Sequence, residues 1–210
     1  MQRIIPAILT SDPADLKNKL DALKKASKWV HIDIMDGKFV PDISISLFEL
    51  TEASQYFNLE IHLMAENPEK YFKDCDEIQA KRVIFHIEAT DDIESVLDAA
   101  GLYQFQKGLA INPDTPVSSL EPYISRIDSA LLMGVIPGRQ GNLFIPAVLE
   151  KIKEVKKLEH CPITGVDGGI GEDNIKDVFK SGIDYAIVGS RIVKIEDPPD
   201  ALKRLEELIN

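Results

Sequence analysis

The chain has 210 residues, 44% of them hydrophobic, and a net charge of −11. This hydrophobic fraction is sufficient for a core and argues against disorder, whereas the negative charge disfavours a nonspecific nucleic-acid surface. A membrane span needs about eighteen consecutive apolar residues, and no apolar segment of this chain approaches that length. The apolar segment at the N-terminus is too short for a secretory signal. Cys75 and Cys161 are isolated. We therefore expect a reduced, cytoplasmic protein that binds neither nucleic acid nor membranes.

Short apolar segments alternate with amphipathic segments along the whole chain. The apolar segments are rich in Val and Ile, which is typical of parallel strands covered by helices. Predicted strands are Arg3–Leu9, Trp29–Met35, Leu59–Met64, Arg82–Ile87, Lys107–Asn112, Ser129–Val135, Ile163–Asp167 and Tyr185–Gly189. Predicted helices are Pro13–Ala26, Pro68–Glu77, Ile145–Leu158, Glu172–Ser181 and Pro199–Ile209, with a weaker helical pattern at Ser118–Ile124.

This alternation predicts an α/β fold. Asp12 and Pro13 have the residue types of an N-cap and a first helical position, which supports the first helix. Eight strands alternating with helices, without a break in composition, predict a (β/α)₈ TIM barrel that forms a single domain over residues 1–210. A doubly wound open sheet is the alternative, but no Gly-x-Gly-x-x-Gly motif follows the first strand.

The second predicted strand carries the residues HIDIMDG, beginning at His31. Side chains alternate along a strand, so His31 and Asp33 share one face. An unpaired carboxylate is costly to bury, whereas His and Asp together are ligands for a divalent transition ion: Zn²⁺, Fe²⁺, Mn²⁺ or Co²⁺. Barrel active sites lie at the carboxyl ends of the strands, where His62 and Asp167 also lie. Asp36 precedes a glycine, and we expect it to stabilise a turn.

Glycine-bearing turns follow the last three predicted strands. They contain Gly138 and Gly141, Gly168 and Gly169, and Gly189 with Ser190. Glycine lets backbone N–H groups approach an anion, and phosphate sites in barrels commonly follow strands seven and eight. The three turns therefore predict a phosphorylated substrate.

Several segments occur in the order of a known family. They are PAIL from Pro6, HIDIMDGKFVP from His31, HLM from His62, HIEA from His86, NPDTP from Asn112, PG from Pro137, VDGG from Val166 and VGS from Val188. On these segments the chain resembles the ribulose-phosphate 3-epimerase family over nearly its whole length, and the segment from His31 is the most specific.

The resemblance implies a metal-dependent epimerase that inverts carbon 3 of a ketose phosphate through an enediolate, most directly D-ribulose 5-phosphate to D-xylulose 5-phosphate in the pentose phosphate pathway. It implies four ligands of one metal ion: His31, Asp33, His62 and Asp167. Asp33 and Asp167 would also transfer the protons. The glycines named above and Ser190 would contact the phosphate, and three methionines would line the reacting carbons: Met35, Met64 and Met133. A homo-oligomer is also implied.

Three positions depart from the family pattern. Ala7 replaces a usual Ser, Asp42 replaces a usual Asn, and the loop that usually reads Pro-Gly-Phe-Gly-Gly-Gln reads PGRQGN from Pro137. Arg139 in this loop would either supplement the phosphate contacts, because a guanidinium binds phosphate with charge-assisted hydrogen bonds, or point to solvent and pair with an acidic residue. All three departures concern substrate contacts rather than the metal ligands.

Other functions remain open at this point. The protein could epimerise another ketose phosphate, such as allulose 6-phosphate, with the same chemistry. It could be a sugar-phosphate binder without activity, although a binder has no need for two opposed carboxylates. A metal-independent decarboxylase of similar fold typically shows Asp-x-Lys-x-x-Asp, whereas Asp33 is followed by Ile34, Met35 and Asp36.

Overall fold

A closed barrel of eight parallel strands is the centre of the computed structural model, which describes residues 3–138 and 142–210. The strands are β1 (Ile4–Ile8), β2 (Trp29–Met35), β3 (Asn58–Met64), β4 (Arg82–His86), β5 (Gln106–Ile111), β6 (Ser129–Met133), β7 (Ile163–Asp167) and β8 (Tyr185–Val188). Each strand pairs with the next, and β8 pairs with β1. The predicted (β/α)₈ TIM barrel is therefore confirmed.

Helices cover the outside of the barrel. They are α1 (Pro13–Leu23), α2 (Phe72–Glu77), α3 (Ile93–Ala100), α4 (Val148–Val155), α5 (Ile175–Lys180), α6 (Ser190–Val193) and α7 (Pro198–Ile209). As predicted, α1 begins at Pro13, and Asp12 caps it by accepting a hydrogen bond from the Ala14 N–H at 2.8 Å. None of the helices described is long and apolar enough to cross a membrane.

The alternation of strands and helices is less strict than predicted. The connection from β2 to β3 contains only 3₁₀ turns, the longer at Leu47–Leu50. The weak helical pattern at Ser118–Ile124 does not form an α-helix either; two 3₁₀ segments, Val117–Ser119 and Glu121–Arg126, occupy this connection. In a helix that begins at Ser118, Pro122 would be the fifth residue, where its missing N–H removes a helical hydrogen bond.

The helix α3 was not among the predicted helices. Its local signals are present nevertheless: Asp92 accepts a hydrogen bond from the Ser95 N–H at 3.0 Å, and Ile93 and Val96 are buried. Eight residues make only about two turns, so the helical periodicity is too brief to stand out.

The inside of the barrel has an apolar side and a polar side. The apolar side is a cluster formed by Ile5, Ala7, Ile84, Ala110, Leu131, Met133, Tyr185 and Ile187. The polar side comes mainly from three adjacent strands, β2 to β4, which bury His31, Asp33, Glu60, His62, Arg82 and His86. Burying this many polar groups requires partners for each of them, and these partners define the site.

Candidate metal centre and substrate cavity

The strand β2 places two of the predicted ligands on its inner face. Its other face, with Val30, Ile32 and Ile34, packs into the core beneath the helices, as the alternation predicted. This leaves His31 and Asp33 facing the barrel interior, where both are buried. The register pairs Asp33 with His62 on β3, so the two side chains lie at the same level.

The four predicted ligands are brought together. The Nε2 atom of His31 lies 3.3 Å from Oδ1 of Asp33, and Nδ1 of His62 lies 3.0 Å from the same oxygen. Nδ1 of His62 is also 3.8 Å from Oδ2 of Asp167, which ends β7. All four ligand atoms lie within 4.8 Å of one another. Atoms bound at about 2.1 Å to a tetrahedral ion lie about 3.4 Å apart, so these residues fit a divalent transition ion.

The two carboxyl groups of the cluster have opposite pKa shifts. Burial raises the pKa of Asp33, but hydrogen bonds with His31 and His62 outweigh it and hold this pKa well below its usual range. Burial, together with the nearby charge of Asp33, raises the pKa of Asp167 to about 6. Pairs of titratable groups with pKa values pushed apart are typical of acid/base sites.

His31 is held from below by a buried ion pair that the sequence reasoning did not identify. Its Nδ1 lies 2.7 Å from Oε1 of Glu60, and Oε2 of Glu60 accepts a hydrogen bond from Nη1 of Arg82 at 2.6 Å. Burial lowers the pKa of His31, but hydrogen bonds to Asp33 and Glu60 raise it to about 10 in the absence of a metal. The alternation along β3 could have found Glu60, because it lies two residues before His62.

His62 has a different partner, which sequence reasoning also left without a role. Its Nε2 lies 2.9 Å from Nε2 of His86, at the end of β4. Nδ1 of His86 in turn lies 3.2 Å from Oε2 of Glu88. Burial lowers the pKa of His86 to about 4. Burial raises the pKa of Glu88, but hydrogen bonds, first from His86 and then from Thr115, lower it to about 2.

A cavity of about 90 Å³ opens above the cluster. Its lining includes both carboxyl groups, Asp33 and Asp167, together with Ala7, Met64 and Met133. Met35 packs with Val40 and Met64 in an adjoining apolar cluster. Asp42 is exposed on the loop after β2.

The predicted glycine-bearing turns form one side of this cavity. Among the residues described, Gly138, Gly168, Gly169, Gly189 and Ser190 line it. Gly169 has a φ of +68°, and a Cβ there would lie 2.6 Å from the backbone nitrogen of Phe144, so only glycine fits. Arg139 and Gly141 lie outside the described residues.

Two further side chains, Arg191 and Asp36, lie outside the ligand cluster. Arg191, which follows Ser190, lines the cavity although the sequence reasoning did not select it. Asp36 stabilises a turn as predicted: its Oδ1 accepts hydrogen bonds from the N–H groups of Lys38 and Phe39 at 2.9 and 3.0 Å. Its Oδ2 accepts the N–H of Glu66 at 2.9 Å, which ties the loop after β2 to the end of β3.

The fold and the cluster together define a barrel with an enzyme-like site at the carboxyl ends of its strands. The sequence model of the ribulose-phosphate 3 epimerase family matches residues 3–193. This chain belongs to that family, and thus to a class of isomerases.

Similar proteins agree with this assignment. A ribulose-phosphate 3-epimerase of Mycobacterium bovis is 36% identical, over 96% of this chain and 90% of the relative. One of Bacillus subtilis is 32% identical, over 98% of each chain. Among solved structures, an orotidine 5'-phosphate decarboxylase from Pyrococcus horikoshii has a TM-score of 0.71 at 16% identity, over 98% of both chains. That last likeness concerns the fold alone.

Proposed function

We propose that this protein is a metal-dependent epimerase that inverts carbon 3 of a ketose phosphate, most directly ribulose 5-phosphate to xylulose 5-phosphate, within one barrel domain. The observation that carries this proposal is the pair Asp33 and Asp167, which line one cavity and form a cluster with His31 and His62. The names of relatives such as the Mycobacterium bovis and Bacillus subtilis enzymes support the substrate.

Four residues would hold the ion: His31, Asp33, His62 and Asp167. When bound, a divalent ion supplies positive charge that stabilises negative charge developing on the substrate oxygens. The nitrogen and oxygen donors suit Zn²⁺, Fe²⁺, Mn²⁺ or Co²⁺.

The two carboxyl groups would move the proton. One carboxylate takes the proton of carbon 3 and becomes a carboxylic acid, while the other, already protonated, donates its proton to the opposite face of the same carbon. The number of protons is conserved, the centre is inverted, and the two groups exchange roles in the reverse reaction. Their unequal pKa values support this assignment, since Asp33 is the more easily ionised and Asp167 the more easily protonated.

The remaining lining residues would orient the substrate. Backbone N–H groups at Gly168, Gly169 and Gly189 are suited to a phosphate, because glycine allows close approach. Arg191 is the one cationic side chain among the described residues that line the cavity, and it lies at the same side as these turns. Met64 and Met133 would face the carbon chain and limit access of water to it.

The decisive experiment measures epimerisation and proton exchange in D₂O on a panel of ketose phosphates, with and without added metal. We expect Asp33→Asn and Asp167→Asn each to lower turnover by about two to four powers of ten, because each removes a proton-transfer group. Asp91→Asn is the matched control, since Asp91 is exposed on a loop outside the cavity.

Near-normal turnover in either active-site variant would contradict the two-carboxylate mechanism. Turnover of another ketose phosphate, such as allulose 6-phosphate, in preference to ribulose 5-phosphate would replace the proposed substrate while leaving the chemistry in place. Binding of these sugars without proton exchange would identify the protein as a binder.

A further inference from the structure

The two ring nitrogens of His62 face different surroundings. Nδ1 points into the ligand cluster, 3.0 Å from Asp33 and 3.8 Å from Asp167. Nε2 points away from it, 2.9 Å from Nε2 of His86. Both rings are fully buried and meet edge to edge, with their planes 26° apart and their centroids 5.0 Å apart. In this buried position His86, rather than bulk water, is the partner that His62 meets.

His86 is fixed in turn from the rim of the barrel. Its Nδ1 lies 3.2 Å from Oε2 of Glu88. The other oxygen of Glu88 accepts the backbone N–H of Asn112 at 2.8 Å and the hydroxyl of Thr115. Nζ of Lys151 donates to the carbonyl oxygens of Asn112 and Thr115, which ties this loop to α4. Both carboxylate oxygens of Glu88 are thus held in place.

The order of donors and acceptors along this chain follows from its outer end. An ionised carboxylate only accepts hydrogen bonds, so the proton between His86 and Glu88 belongs to Nδ1 of His86. A neutral imidazole carries one proton, which leaves Nε2 of His86 as an acceptor. The proton between the two rings therefore belongs to Nε2 of His62. In the metal-free protein, Nδ1 of His62 donates to Asp33 at 3.0 Å. When a metal ion replaces this proton, the lone pair of Nδ1 would face the ion, while Nε2 keeps its proton.

We propose that His86 and Glu88 are positioning residues that set the tautomer of His62 so that its Nδ1 is free to bind the metal ion. This inference rests on the metal site proposed above. It requires the opposite tautomer for His31, whose Nδ1 donates to Glu60 and whose Nε2 faces Asp33. Hydrogen-bond partners of this kind fix the orientation of metal-binding histidines, and their removal costs about 10- to 100-fold in metal affinity.

The test is the affinity of the metal-free protein for Zn²⁺, measured by competition with a chelator. His86→Leu removes the acceptor and replaces the imidazole with an apolar side chain of similar size. We expect it to weaken Zn²⁺ binding about tenfold or more. His86→Gln offers a side-chain carbonyl oxygen to Nε2 of His62, and we expect it to recover most of the affinity. His160→Leu, at an exposed histidine, is the matched control.

Glu88 provides a second pair of variants, useful if a change at the buried His86 prevents folding. Glu88→Ala removes the acceptor for His86 and is expected to weaken Zn²⁺ binding, whereas Glu88→Gln retains an acceptor and is expected to bind more tightly than the alanine variant. In the Zn²⁺-loaded protein, ¹⁵N NMR of the histidine rings should show His62 protonated at Nε2 and His31 protonated at Nδ1.

Equal losses in the leucine and glutamine variants of His86, or a His62 protonated at Nδ1 in the Zn²⁺-loaded protein, would overturn the positioning role and leave the metal site intact. A native protein that binds no metal would instead overturn the metal site, and the positioning role with it.

Discussion

The two histidines of the candidate metal centre are supported by networks of different character. Behind His31, Glu60 and Arg82 are almost completely buried, and their opposite charges balance inside the barrel. Behind His62, the chain passes through His86 to Glu88, whose side chain is 23% exposed at the rim. The first network is part of the packed interior, so changing it affects the whole fold. The second network reaches solvent, so a substitution in it can alter the site with a smaller loss of stability.

The largest expected effect is on stability, and it separates the two networks. Glu60→Ala leaves the guanidinium of Arg82 buried without its carboxylate, and breaking a buried pair in this way costs about 3–5 kcal/mol. Glu88→Ala removes a partly exposed carboxylate, and we expect a loss of about 1–2 kcal/mol. Urea unfolding of the two metal-free variants measures the difference. Equal losses would mean that the two networks do not differ as described.

The next effect concerns pH and tests whether the network behind His31 holds a proton. The pKa of His31 is about 10 in the metal-free protein, so a metal ion must displace one proton from it at neutral pH. We expect the apparent Zn²⁺ affinity to rise about tenfold per pH unit from pH 7 to pH 9. Chelator competition across this range measures the slope, and a flat profile would show that His31 is already neutral.

The same proton has a consequence for the stability of the metal-free protein. A histidine whose folded pKa lies above its unfolded value stabilises the fold fully below the unfolded pKa, about 6.5. This contribution is lost as the pH rises through the folded pKa, about 10 for His31. Stability to urea should therefore fall from pH 6.5 to pH 10. Glu60→Gln should flatten this fall, because it weakens the interaction that holds the proton.

The smallest expected effect concerns Arg191, at the opposite side of the cavity from the two networks. It tests whether substrate binding depends on a group that does not act on the metal ion. Arg191→Met keeps an unbranched side chain but removes the charge facing the proposed phosphate site. We expect KM to rise about tenfold, or roughly 1.4 kcal/mol, with little change in kcat or Zn²⁺ affinity. Arg204→Met, exposed on α7, is the control. An unchanged KM would assign Arg191 to the surface.

Much of the site could be predicted because strand geometry is a local property. Alternation along β2 placed His31 and Asp33 on the inner face, and the rule that barrel sites lie at the carboxyl ends of strands added His62 and Asp167. The start of α1 was predicted because Asp12 and Pro13 mark it. The short helix α3 was not predicted, and the weak helix predicted at Ser118–Ile124 was wrong, because one or two turns carry too little periodicity.

The amino-acid sequence by itself determined the succession of strands, the inner and outer faces of each, and the residue types that meet at the mouth of the barrel. Only the tertiary structure decided which polar groups face one another across strands. Glu60, Arg82, His86 and Glu88 acquire their roles from the register of β2, β3 and β4, which joins residues up to 29 positions apart. A buried polar group needs a hydrogen-bond partner, and the fold supplies it from whichever residue lies within reach. No local sequence pattern specifies which distant residue that is.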